Sequence, residues 1–165
     1  MHRIRIFLVV MSVLLLPTVA KAQMKLSGTV QCSKPDPQHT LEVGDHPKHF
    51  FAIGQVNCTW TEPWEIEGIK SKEGDGTQFD EMSRNSSNYR GYYLDTMANG
   101  DNVHYSYGGT TTLKDGVPVS AEHKWSIIRG TGKLTGIKGQ GICKGRVGED
   151  GSMTWQCEGE YELPK

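Results

Sequence analysis

The side chains in this chain best suited to holding or changing a small molecule are Tyr92, Leu94, Tyr105, Tyr107, His123 and Trp125. Three phenols, an imidazole and an indole N–H amid apolar surface are the ingredients of a concave site for a small apolar molecule. Such sites bury their ligand against rings and orient it with a few polar groups. His123 is the sharpest member, since a neutral imidazole facing a tyrosine could accept or shuttle a proton. The competing expectation is a filled core in which the Tyr and His tips find backbone partners or reach the edge of the fold.

Three further groupings carry chemistry on paper. Asp95, His104 and Ser106 are expected on one polar face, with Asp95 across from His104, which supplies the residue types of a Ser-His-Asp triad. Same-side neighbours on a strand lie roughly 7 Å apart, however, and no G-x-S-x-G elbow accompanies them, so a solvated cross-strand pair is expected instead. Glu65 and Glu67, following Trp60 and Trp64, share one side of an expected strand and read as its solvated edge. His46-Pro47-Lys48-His49, next to Asp45, could offer two imidazoles to a metal, but Pro47 opposes helical presentation and no metal is expected there. Asn85-Ser86-Ser87 fits the N-glycosylation pattern, which matters only in a eukaryotic host. No catalytic residue and no cofactor is assigned from these patterns.

The elements that must position these residues are strands. Met1 to Arg5 form a short basic start, an apolar run follows from Ile6 to Leu16, and Ala20-Lys21-Ala22 supplies an A-x-A cleavage site, so residues 1–22 read as a secretory signal peptide. The expected mature domain, 23–165, has no later run long enough to span a bilayer, so no membrane association is expected after cleavage. The full chain, with 18 basic and 19 acidic residues interspersed along 165, carries no basic stripe for nucleic acid. A secreted or periplasmic location follows, and there the four cysteines should pair.

No 3.6-residue apolar period persists for three turns; β-branched and aromatic stretches alternate instead with Gly-rich turns. Strands are expected at 24–32, 50–60, 64–72, 77–82, 89–97, 102–113, 117–128, 133–137, 139–147 and 152–160, with a long loop over 33–49. Gly74-Asp75-Gly76, Lys114-Asp115-Gly116 and Glu149-Asp150-Gly151 share one three-residue turn grammar. A loop at 114–116 sets Val103 opposite Ile127, Tyr105 opposite Trp125 and Tyr107 opposite His123. A two-residue turn at Asn99-Gly100 adds Thr96, Leu94 and Tyr92 to the same face. A loop at 149–151 sets Cys143 across from Cys157, which predicts a disulfide there. Cys32 with Cys58 follows by elimination, although a simple hairpin across 33–49 would not bring them together.

The stretch Trp125-Ser126-Ile127-Ile128-Arg129-Gly130-Thr131-Gly132-Lys133-Leu134-Thr135-Gly136-Ile137-Lys138-Gly139-Gln140-Gly141 resembles a glycine-rich segment of the allene oxide cyclase and dirigent-like barrels. The match covers about a tenth of the chain. The resemblance implies an all-β, eight-stranded antiparallel barrel around an apolar cavity, often assembled as a homo-oligomeric trimer. Its glycines also suit the sharp strand coiling that closes a small barrel. The expected function is therefore an exported barrel that binds a small apolar ligand. The alternatives are an isomerase or cyclase like allene oxide cyclase and a structural protein with a packed core.

Overall fold

A computed structural model describes residues 23–164; the predicted signal peptide, 1–22, lies outside the described residues. The chain forms β1 (Met24–Cys32), β2 (Gln38–Glu42), β3 (Phe50–Glu62), β4 (Glu65–Ile66), β5 (Ile69–Met82), β6 (Ser86–Met97), β7 (Asn102–Lys114), β8 (Val117–Gly130), β9 (Lys138–Val147) and β10 (Met153–Glu162). Eight of these close a barrel. From β5 to β10 each strand pairs antiparallel with the next, and β1 joins β10 to β3, which returns to β5. The all-β class expected from the pattern and the eight-stranded barrel implied by the resemblance are what form. The predicted strand at 133–137 is instead a 3-10 turn, Gly132–Leu134, that drops Leu134 into the core.

The 33–49 segment is not a plain loop. β1 occupies the edge of β3 only over Thr59, Trp60 and its neighbours, and β2 takes the same edge further along, pairing Gln38–Glu42 with residues 50–54. All five β2 residues are exposed, so the strand had no buried alternation to betray it. This excursion lets β1 and β3 pair directly with Cys32 opposite Cys58, which bond, as do Cys143 and Cys157 across β9 and β10.

Turn chemistry decided which expectations of register survived. At Glu149 to Gly151 the loop is as expected, and Gly145 faces Trp155. At Asp115-Gly116 both residues have positive φ (54° and 83°), a two-residue turn, and a bulge at Thr112/Leu113 adds the missing residue. The net displacement is two residues: Tyr107 faces Trp125 and Gly109 faces His123, yet every side chain keeps its face. At residues 98–100 the outcome differs. Gly100 alone takes positive φ, its N–H reaches Met97 O and Met97 N–H reaches Asp101 O, which makes a three-residue loop. That one-residue change turns β6 over, so Tyr93, Asp95 and Met97 point inward while Tyr92 points out with 67% of its surface exposed.

Gly74-Asp75-Gly76 is likewise no turn but the middle of β5. A Cβ at Gly74 would lie 2.4 Å from the Tyr93 hydroxyl, so the glycine exists to seat a ring. Trp125 is held the same way, between Gly141 and Gly159 on the two facing strands, where a Cβ at either would lie 2.4 Å from the indole.

Non-reducing peptide mapping should return Cys32–Cys58 and Cys143–Cys157, and a Cys32–Cys143 link would contradict the strand order. Replacing either pair by alanine should cost about 3 kcal/mol in urea unfolding, since each bond closes a loop of moderate length.

Candidate functional site

One end of the barrel is shut. The short β4 turn, with Glu67 and Gly68 at positive φ, folds Trp64 and Ile66 into the lumen. There Asp95, fully buried, accepts hydrogen bonds from Trp60 Nε1 at 3.0 Å, Trp64 Nε1 at 3.2 Å and Ser71 Oγ at 2.6 Å. Burial pushes its carboxyl up to about 6 against the pull of these three donors. Leu134 and Ile137 complete the closure. Much of the glycine-rich segment that carried the family resemblance therefore builds the closed end of the barrel.

Above this floor lies a cavity of about 520 Å³. Its walls are rings: Tyr93, Tyr105 and Trp125 deep inside, then Tyr107, His123 and Trp155, with Tyr89 beside them. His123 packs on Trp155 at 4.5 Å between centroids, and its Nδ1 lies 3.1 Å from the Tyr89 hydroxyl. Burial lowers the His123 pKa to about 4, so the imidazole is neutral at neutral pH, and its Nδ1 shares a hydrogen bond with the Tyr89 hydroxyl. Nearer the mouth a polar chain runs along one wall. Tyr107 donates to Gln78 Oε1 at 3.3 Å, Gln78 Nε2 donates to Asp80 at 2.9 Å, and Ser87 Oγ donates to the same carboxylate at 3.2 Å. Partial burial raises the Asp80 pKa. The mouth itself is framed by Lys34, Pro35, Met82, Leu113 and Pro118. A second hollow, about 550 Å³, lies on the outer surface around Thr29, Glu62 and Lys144 and is not ringed by aromatic groups.

Of the six expected ligand residues, Tyr105, Tyr107, His123 and Trp125 line the cavity, whereas Tyr92 and Leu94 lie on the outer face of β6. The turned-over strand supplies Tyr89 and Tyr93 in their place. It also dismantles the triad: Asp95 sits inside across from Val103, while His104 and Ser106 lie on the outer face. Glu65 and Glu67 are exposed, with Glu67 in the β4 turn rather than on a strand. Outside the barrel, the loop after β2 gathers Asp45, His46 and His49, with ligating atoms within 4.8 Å of one another. Pro47 does not prevent this, because Gly44 and Lys48 take positive φ and curl the segment. His49 Nδ1 lies 2.6 Å from Asp45 and Nε2 lies 3.3 Å from Glu81; those carboxylates raise its pKa, and the two contacts tie the loop to β5.

Trp60, Trp64 and Asp95 were missed from the sequence as a site. Two tryptophans four residues apart around a proline were the available signal, but their common partner lies on β6 and depends on a register that the sequence left wrong by one.

Fold and site together define an antiparallel eight-stranded barrel with one open end, an aromatic cavity and a buried carboxylate beneath it. Comparison with solved structures gives the same fold: a protein of unknown function from the DUF3224 family of Shewanella oneidensis MR-1 superposes with a TM-score of 0.53, covering 87% of this chain and 99% of that one at 15% identity. The likeness is one of fold. No protein-family model and no curated protein matches the chain. The eight-stranded barrel that the resemblance implied is present, but no comparison points to allene oxide cyclase or dirigent-like proteins in particular.

Because the Asp95 carboxyl titrates near 6 when folded against an ordinary 3.8, the native state binds more protons than the unfolded state between those values. Its contribution to stability is greatest below about pH 4 and is lost as pH rises through 6. Roughly two pH units correspond to about 3 kcal/mol. In urea unfolding, wild type should therefore lose about 2 to 3 kcal/mol relative to Asp95→Asn between pH 4 and pH 7. A difference that stays constant with pH would contradict a buried, titrating carboxyl.

Proposed function

We propose that this is an exported binding protein that holds one small, largely apolar, ring-bearing molecule in the barrel and does no chemistry on it. The observation that carries this reading is the cavity of about 520 Å³, open at one end and walled by aromatic side chains. That volume lies within the range of small-molecule sites, and eight strands leave room for one such ligand. The polar groups are few and placed, as a binding site requires: the Tyr89–His123 pair and the Gln78–Asp80–Ser87 chain. The two disulfides fit an oxidising, extracellular environment, consistent with the signal peptide read from residues 1–22.

An isomerase or cyclase would need a proton-transfer group, and His123 is the residue the sequence offered. With its pKa near 4, His123 is a weak base at neutral pH, which favours binding over catalysis. A packed core is disfavoured by the cavity itself.

N-phenyl-1-naphthylamine, a neutral fluorescent probe, should bind saturably at one site with micromolar affinity, brighten, and quench tryptophan emission. Ala121→Trp, on the cavity wall, should weaken that binding at least tenfold while leaving the far-UV spectrum unchanged. Absence of saturable binding to the wild type would reject the proposal.

A further inference from the structure

Three buried polar atoms on residues that line the deep end of the cavity make no aligned hydrogen bond with any described residue: the hydroxyls of Tyr93 and Tyr105 and the indole nitrogen of Trp125. Tyr105 and Trp125 are 3% and 4% exposed. The Trp60 N–H comes near the Tyr93 hydroxyl, but its aligned bond is to Asp95 Oδ1 at 3.0 Å. Native proteins satisfy nearly all buried polar groups, so three orphans in one place mark a missing partner. They are neighbours: the Tyr93 and Tyr105 rings lie 6.2 Å apart and the Tyr105 and Trp125 rings 5.6 Å apart, the latter edge to face.

The chemistry of the missing partner follows from the orphans. An indole N–H can only donate, and phenols kept protonated by burial offer an O–H. The partner must therefore present an acceptor. It should also be uncharged. Lys34, at the mouth, is the one cationic side chain among the described lining residues, whereas the Asp95 carboxylate lies close enough to Tyr93 and Tyr105 to disfavour negative charge there. The surrounding rings fit a flat or ring-bearing body.

We propose that the deep end of the cavity recognises a neutral oxygen acceptor, a carbonyl or ether oxygen, at the leading edge of an otherwise apolar ring-bearing ligand, held by Tyr93, Tyr105 and Trp125. This rests on the binding reading above and gives it a substrate class: aryl or alicyclic ketones, aldehydes and ethers rather than hydrocarbons or carboxylic acids. The tyrosines are specificity determinants, since a site that donates hydrogen bonds discriminates strongly against an analogue that cannot accept them.

The test is calorimetric titration of the wild type with 2-acetylnaphthalene, 2-isopropylnaphthalene and 2-naphthoate, repeated on Tyr93→Phe/Tyr105→Phe. Neither hydroxyl makes an aligned hydrogen bond with a described residue, and the Trp60 N–H keeps its bond to Asp95, so the variant should fold as the wild type does. The ketone is expected to bind about tenfold tighter than the hydrocarbon and tighter than the carboxylate, with its carbonyl stretch moved to lower frequency when bound. The double variant should erase the preference by weakening the ketone alone. If ketone and hydrocarbon bind equally well and the variant changes neither, acceptor recognition is overturned and cavity binding stands, with water as the partner of the orphans. If naphthoate binds tightest, the neutral-ligand assignment is overturned. If none of the three binds, both this inference and the binding reading fail.

Discussion

The structure depends on how much room eight closed strands leave, and on which residues decline to fill it. A barrel of this size has an interior wide enough for side chains or for one small ligand. Bulky rings projecting straight inward would use up that space. Here they lie against the wall instead, because the facing strands place glycine where a Cβ would collide with them: Gly141 and Gly159 against Trp125, Gly91 against the Tyr107 hydroxyl. A wall of rings laid flat encloses a lumen, and the same glycines that permit tight strand coiling keep that lumen open.

The closed end relies on a different balance. Asp95 is fully buried, and three donors converge on it without a countercharge among the described residues. Burying a carboxylate is costly, and hydrogen bonds from two indoles and a hydroxyl offset only part of that cost, as its raised pKa records. In return the network joins β3, the β4 turn, β5 and β6 at one point and fixes the two tryptophans that form the cavity floor. It also sets the electrostatic character of the deep cavity, where phenols sit near negative charge and no described cation answers it. On the proposed binding reading, structural and ligand-selecting roles meet in one side chain.

How much of this was legible in the residues depended on turns. The all-β class, the closing hairpin and the Cys143–Cys157 pair could be read because alternation is periodic and the 149–151 loop has the expected length. Tyr105, Tyr107, His123 and Trp125 were placed on the right face although their partners were displaced, since an error of two residues leaves side-chain direction intact. Tyr92 and Leu94 were misplaced, and Tyr93 and Asp95 missed, because Asn99-Gly100 suits a two-residue turn while the chain makes a three-residue one. β2 was invisible for a physical reason: both of its faces are exposed, so it leaves no hydrophobic pattern. The carboxylate network was unreadable in principle from local sequence, since Trp60, Trp64, Ser71 and Asp95 meet only after the barrel closes.

The central claim is that the rings line an open lumen rather than pack across it. Diffraction from crystals pressurised with xenon tests this directly, because xenon enters apolar cavities and leaves packed cores empty. The account predicts xenon bound inside the barrel above Trp125, in contact with Tyr107, His123 and Trp155. A lumen that takes up no xenon, with those side chains meeting across it, would contradict it.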